Sequence, residues 1–386
     1  MNHAALNALG HPLRAPLPQT PHDIHCAADY ERHAIHHLDA STWQHIQGGT
    51  DQNLSLAHNR TAFDALRLQP QPITDAPAAS DTSHTRIELC GHTLASPILL
   101  APVAYQSLAH AEGELATARA AMALQTGMIA STLSSFTLEE IAAAADAATH
   151  DMGQGAPRWF QLYMQPDRAH SLQLLRRAEA AGYTAVVWTV DASIKRSGFP
   201  LPHGVHAANL RGMPTSHHTS PLQGPIVFGT PLMAQLPTWD DLRWLRAQTA
   251  LPILVKGVLS PTQAQQAMAL GANGIIVSNH GGRVLDGTVS PMEVLPQIAQ
   301  ALGPDTPLLL DSGVRYGNDV VKALALGAHA VLVGRLQVYG LATAGLLGVA
   351  HMLHLLRAEL ELCMAQLGCR TVRDITPSVL WRQDQS

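Results

Sequence analysis

The ten residues Ser278 to Gly287 read SNHGGRVLDG, placing a histidine, an arginine and an aspartate beside paired glycines directly after the apolar run Gly274 to Val277, GIIV. Residue types of this kind, crowded together at such a position, make chemistry the expectation here. The apolar run reads as a buried strand, which puts Ser278, Asn279 and His280 where a strand gives way to a loop. In a parallel barrel, that is the end that carries active sites. The plainer alternative is a turn made by Gly281 and Gly282 with His280 and Arg283 in solvent.

The elements needed to position such a site recur along the chain. Eight short β-branched or apolar runs stand out: Pro97 to Ala101, Met128 to Ser131, Trp159 to Tyr163, Thr184 to Val190, Ile253 to Gly257, Gly274 to Ser278, Leu308 to Asp311 and Ala330 to Gly334. Helical segments rich in Ala and Leu separate most of them: Glu112 to Gln125, Leu138 to Ala147, Arg168 to Ala181, Pro261 to Leu270, Pro291 to Leu302 and Asn318 to Leu326. Eight strands with a helix after nearly every one predict an α/β fold, a (β/α)8 TIM barrel, over residues 96–365. Residues 1–95 are expected to form an N-terminal helical cap and 366–386 a C-terminal tail. The stretch Ala192 to Pro252 is too long for a plain βα connection and predicts a long loop insertion after the fourth strand.

Composition narrows the function classes. With 46% hydrophobic and 14% charged residues, the 386-residue chain can bury a large core, and a net charge of −5 with no basic stripe argues against nucleic acid. Cys26, Cys90, Cys363 and Cys369 form no CxxC pair, as reduced thiols of a cytoplasmic protein would not, and no secretion signal is legible. Without such a signal the sequons at Asn53 and Asn59 carry no expectation of glycosylation. The apolar stretch Tyr339 to Leu356 contains His351 and His354 and predicts a buried helix, not a membrane anchor. Of the 22 histidines, His33, His36 and His37 cluster early; with no HExxH anywhere, a solvated helical face is the expectation and no metal is implied.

A barrel gathers its strand ends on one face. Gln161 and Tyr163 end the third strand, Thr189 and Asp191 the fourth, Lys256 the fifth, Ser278 and His280 the sixth. Lys256 is one of three lysines, and a cation there needs a partner, structural or functional. After the seventh strand comes Asp311-Ser312-Gly313-Val314-Arg315, and after the eighth Gly334-Arg335. Glycine-bearing loops with an arginine at these two positions are where barrels commonly hold a phosphate, so a phosphorylated ligand is expected.

SNHGGRVLDG, with LPILVKG (Leu251 to Gly257), RWFQLY (Arg158 to Tyr163), WTVDA (Trp188 to Ala192), DSGVRYGNDVVKALALGA (Asp311 to Ala328) and VLVGR (Val331 to Arg335), resembles the FMN-dependent 2-hydroxy acid oxidases and dehydrogenases. The resemblance covers roughly residues 30 to 365. It implies FMN as cofactor, His280 as the base at the substrate hydroxyl, Arg283 as the carboxylate clamp, Asp191 orienting the imidazole, and hydride transfer from an (S)-2-hydroxy acid to the flavin. Lys256 matches the lysine beside the flavin pyrimidine, Tyr163 a substrate-facing tyrosine. Pro102, Val103, Ala104, Ser131, Gln161, Thr189, Ser278 and Asp311 fall at or beside flavin positions, and Gly313, Arg315, Gly334 and Arg335 at the phosphate site. A homotetramer is implied by the same analogy. The electron acceptor, whether oxygen, a quinone or a protein, is left open.

Two departures lie at the substrate end. His45 stands where the family usually places a carboxylate-binding tyrosine, and about seven residues are missing after Asp191, where Lys195 or Arg196 would have to replace a second active-site arginine. Glycolate and lactate are therefore expected to be poor substrates. A flavin-binding relative that has lost turnover is a second reading, and a Schiff-base barrel lyase on Lys256 a third.

Overall fold

The computed structural model describes residues 5–71, 73, 84–193, 201–213, 228–229, 233 and 236–381. The chain enters through three helices, α1 (Tyr30–Ala34), α2 (Ala40–Gln47) and α3 (Leu54–Ala65). A small antiparallel hairpin of β1 (Ile87–Leu89) and β2 (His92–Leu94) follows. This hairpin lies within the stretch expected to be a helical cap.

Then come the barrel strands β3 (Ile98–Leu100), β4 (Gly127–Ser131), β5 (Arg158–Leu162), β6 (Ala185–Thr189), β7 (Ile253–Val258), β8 (Gly274–Val277), β9 (Leu308–Leu310) and β10 (Ala330–Val333). All pair in parallel with their sequence neighbours, and β10 closes on β3. Helices α4 (Gly113–Ala123), α5 (Leu138–Met152), α6 (Arg168–Ala180), α7 (Trp239–Gln248), α8 (Pro261–Ala269), α9 (Pro291–Leu302), α10 (Gly317–Ala325) and α11 (Arg335–Gln366) alternate with them. The (β/α)8 barrel expected from the strand pattern is the fold.

Successive side chains on a strand point to opposite faces, and the two faces meet two separate cores. Phe160, Leu162, Val186, Trp188, Val255, Ile275 and Val331 pack outward against the helices. Leu99, Ile129, Trp159, Val187, Leu254, Ile276, Leu309 and Leu332 fill the barrel interior. A side chain two positions further along each strand therefore points the same way, toward the barrel mouth. Those positions are Ser131, Gln161, Thr189, Lys256, Ser278 and Asp311 on β4 through β9. An apolar plug thus carries a ring of polar groups, with only Ala101 and Gly334 at the corresponding places after β3 and β10.

The expected Tyr339 to Leu356 helix is part of α11. It is long and apolar enough to cross a membrane by length alone, yet 67% of its most apolar window is buried in the fold, mainly against α4, α10 and α1. Non-helical φ/ψ at Ala344 and Gly345 kink it. The histidine cluster also differs from expectation. Helix α1 stops at Ala34, and His37 is only 8% exposed, so these side chains are not a solvated helical face. Burial lowers the pKa of both His36 and His37.

Helix α3 is pinned to the barrel at both ends. The side chain of its N-cap, Asn53, does not cap the helix and accepts from the Gly49 amide at 2.7 Å. The Asp286 carboxylate instead accepts from the amides of Gln52, Leu54 and Ser55 at 2.9, 3.2 and 2.8 Å. At the other end Lys322 Nζ donates to the Phe63 carbonyl at 2.9 Å. Between them Asn59 and Asn279 exchange amide hydrogen bonds at 2.8 and 2.7 Å, so Asn59 of the second sequon is buried. Arg60 forks onto the fully buried Asp319 at 2.7 and 2.8 Å, and Asp319 also receives the Arg315 and Tyr316 amides. Removing one partner of a buried pair costs about 3–5 kcal/mol, less where one partner reaches solvent, as Arg60 does. Arg60→Ala is therefore expected to lower unfolding stability by about 2 kcal/mol in a urea titration of the apoprotein, with Asp64→Ala, which removes only the outer partner, nearly neutral.

Candidate active site

Five of the six mouth positions pair into two separate groups. Lys256 Nζ lies 2.9 Å from Asp311 Oδ2 and donates to Ser278 Oγ at 2.8 Å. Burial alone would lower the Lys256 pKa, but Asp311 and Asp191 outweigh it and hold the ammonium charged. A Schiff-base lysine needs a free amine, so the charge state argues against the lyase reading. On the other side, the Gln161 side-chain oxygen accepts from Ser131 Oγ at 3.1 Å and from the Thr132 amide at 3.2 Å.

His280 sits just past β8 with φ +58, a left-handed conformation that histidine tolerates better than most residues. Its amide donates to Ser278 Oγ at 3.0 Å, and its Nδ1 lies 2.9 Å from Asp191 Oδ1. Asp191 approaches because of Gly257, which sits in a register shift between β7 and β8 at φ +105. A Cβ on Gly257 would fall 2.5 Å from Asp191 Cγ, so only glycine fits. Burial would raise the Asp191 pKa; His280 and Lys256 more than compensate and hold it below the usual carboxylate range. The ring's other nitrogen, Nε2, lies 3.5 Å from the Tyr163 hydroxyl. One carboxylate thus orients the imidazole while its far nitrogen faces the mouth beside a phenol.

Arg283 and Arg335 converge on the end of α2. Arg283 donates to the carbonyls of Ile46 and Gly48 at 3.2 and 2.8 Å, and Arg335 to the same two at 3.0 Å each. His45, half-buried, lies in the last turn of α2. Gly282 lets the loop meet the cap, since a Cβ there would fall 2.5 Å from the Leu56 amide. Burial, with Arg283 and Arg315 nearby, pulls the Arg335 pKa down to about 9. Clustered guanidinium groups of this kind are relieved by a dianion.

Pro102, Val103 and Ala104 follow β3, half-buried at the mouth. Lys195 and Arg196 lie outside the described residues. Sequence reasoning gave no role to Asn279, Asp286, Asp319 or Tyr105. SNHGGRVLDG itself contains the first two, but their partners on α3 lie more than 200 residues away.

The residues fit FMN on three observations. Gln161 Nε2 and Thr189 Oγ1, polar atoms of the mouth ring, are buried with no hydrogen-bond partner among the described residues, as groups awaiting a polar ring edge would be. A Cβ on Gly334 would meet nothing within 4 Å, leaving an open cradle at the N-terminus of α11. A cavity of about 630 Å3 opens beside Gly313, Arg315 and Arg335, with the guanidinium of Arg60 and the carboxylates of Asp29 and Glu31 also on its wall, and the arginine donors suit a phosphate.

Comparison with known proteins agrees with this geometry. Residues 34–382 match the family described as FMN-dependent dehydrogenase. An L-lactate oxidase of Alicycliphilus denitrificans is 50% identical over 95% of this chain and 99% of its own length. A 4-hydroxymandelate oxidase of Amycolatopsis orientalis is 41% identical over 89% and 95%. A crystal structure of mandelate oxidase with (S)-2-phenylpropionate superposes with a TM-score of 0.80 at 39% identity, covering 93% of this chain and 98% of that one. The chain belongs to the FMN-dependent 2-hydroxy acid oxidase and dehydrogenase family, and it is an FMN-dependent 2-hydroxy acid oxidoreductase.

Gly334→Ala should fill the cradle without disturbing the apoprotein. Its melting temperature is expected to match the parent, while FMN affinity, measured by quenching of free flavin fluorescence, falls about tenfold.

Proposed function

We propose that this enzyme oxidises a short (S)-2-hydroxy acid, L-lactate foremost, to the 2-oxo acid, with dioxygen as the final electron acceptor. The observation that carries the reading is the Asp191–His280–Tyr163 alignment at the barrel mouth, with Arg283 five positions from Ser278 on the same loop. Support for lactate and for oxygen comes from the relatives, of which the L-lactate oxidase is half identical across nearly the whole chain. That similarity favours lactate over the expectation that it would be a poor substrate.

In this reading Arg283 turns from the cap carbonyls to the substrate carboxylate, where a forked pair of hydrogen bonds fixes the α-carbon. His45, in the last turn of α2, is the second carboxylate contact. His280 Nε2 removes the hydroxyl proton, and Asp191 stabilises the imidazolium that results. The Tyr163 phenol, kept neutral by a pKa that burial raises, hydrogen-bonds the substrate oxygen as it becomes a carbonyl. FMN, held by the mouth ring and the Gly313, Arg315, Gly334 and Arg335 loops, would supply the two-electron sink for the α-hydrogen. Lys256, held charged between two carboxylates, offers positive charge where the cofactor gains electrons. Dioxygen then accepts the electron pair and two protons and leaves as hydrogen peroxide.

Anaerobic mixing of the yellow holoenzyme with L-lactate is expected to bleach the flavin, and in air one peroxide should form per pyruvate. A holoenzyme that no 2-hydroxy acid bleaches would refute the reading, and pyruvate without peroxide would assign a different acceptor. His280→Ala should keep the yellow colour and lose bleaching by about a hundredfold or more. Asp191→Asn, which leaves the imidazole without its counter-charge, should also retain FMN while the bleaching rate drops about a hundredfold or more, measured by stopped flow.

A further inference from the structure

Asn209 lies in a single helical turn, Ala208–Leu210, within the long connection between β6 and α7, and it is 1% exposed. Both ends of its carboxamide are used, and they face different elements. Oδ1 accepts from the Leu138 amide at 2.9 Å and from Arg177 Nη2 at 3.3 Å, which anchors the residue to α5 and α6. Nδ2 donates to Ser134 Oγ at 2.9 Å and reaches the Ser131 and Thr132 carbonyls at 3.4 Å each. The main chain repeats the pattern. The Ala208 amide donates to the Ser134 carbonyl at 2.9 Å, and the Asn209 carbonyl accepts from Arg177 Nη1 at 3.1 Å. Two donors on one side and three acceptors on the other fix which atom is the nitrogen.

The turn that Asn209 grips, Ser131 to Ser134, holds two residues of the site. Ser131 Oγ and the Thr132 amide both donate to Gln161 Oε1, leaving Nε2 as the end with no partner among the described residues. Thr132 Oγ1 donates to the Gln161 carbonyl at 2.7 Å and accepts from the Tyr163 amide at 3.1 Å. The Ser131 carbonyl and the Thr132 amide belong to one rigid peptide plane. A donor on that carbonyl therefore also orients the amide that Gln161 accepts from.

We propose that Asn209 is a positioning residue of the active site: by gripping the Ser131–Ser134 turn it fixes the Gln161 carboxamide for the flavin and the Tyr163 backbone that carries the phenol to the substrate. The inference rests on the FMN cofactor for Gln161 and on the hydroxy acid reading above for Tyr163.

Asn209→Asp separates this role from plain anchorage, because a carboxylate still accepts from Leu138 and Arg177 but has no proton to give the turn. Its FMN dissociation constant, read by flavin fluorescence, should rise about tenfold, and the visible spectrum of the bound flavin should shift. In the holoenzyme, kcat for L-lactate should fall about tenfold or more with KM within about threefold, since a misplaced group at the reacting centre costs rate more than binding. Ser134→Ala, which removes the hydroxyl that accepts from Asn209 and leaves Asn209 in place, should move FMN affinity and kcat the same way by about threefold. Arg177→Met loosens only the anchor. It should lower the melting temperature while FMN affinity and kcat stay within about twofold of the parent. Parental FMN affinity and kcat in Asn209→Asp, or in Ser134→Ala should the aspartate variant not fold, would overturn the proposal, as would equal losses in Arg177→Met. A parent enzyme that L-lactate does not bleach would refute the hydroxy acid reading, and the FMN affinities and spectra would still decide on Asn209.

Discussion

A closed barrel has one interior, and the strict alternation of side chains along its strands decides what faces it. Here the interior positions change from apolar to polar within two residues: Ile129 to Ser131, Trp159 to Gln161, Val187 to Thr189, Leu254 to Lys256, Ile276 to Ser278, Leu309 to Asp311. The lower layer fills the barrel and seals it. The upper layer, supported by that plug, cannot retreat from the mouth, and it carries the charges on which the site depends. Lys256 is tolerated there because Asp311 touches it and Asp191 lies near enough to act on it. The same Asp191 orients His280. In the proposed mechanism, proton chemistry and cofactor electrostatics therefore share one carboxylate.

The cap is the second support. Helix α3 presents its N-terminus to Asp286 and its side to Asn279, both within the loop that carries His280 and Arg283. Helix α2 ends in the carbonyls of Ile46 and Gly48, which Arg283 and Arg335 share. A loop that must place an imidazole and a guanidinium is thus braced by backbone and amide hydrogen bonds from outside the barrel. Mobile loops make poor active sites, and this bracing substitutes for the rigidity that a strand would provide.

Much of this was legible from residue order alone. Eight apolar runs at βα spacing predict the barrel, and the observed strands begin and end within a residue or two of those runs. Gln161, Thr189, Asp191, Lys256, Ser278 and His280 are recognisable because each closes a strand, a position with a defined direction. His33, His36 and His37 read differently, since a short polar segment gives no indication that helix α1 stops at Ala34 and that the following turn is buried. The β1–β2 hairpin is equally hard to see, because three-residue strands carry too little alternation to stand out.

By itself the sequence determined which chemistry was available, through the types of side chain at strand ends and the glycines that must accompany them. Tertiary structure alone decided which of those groups meet. Asp191 and His280 are 89 positions apart, Asn59 and Asn279 are 220 apart, and no local pattern links either pair. Nor does any local rule place a tyrosine in a glycine's conformation at position 105. Local propensity acts over a few residues, whereas closure of the barrel and docking of the cap bring distant strand ends and helix ends together through burial, which has no memory of sequence separation.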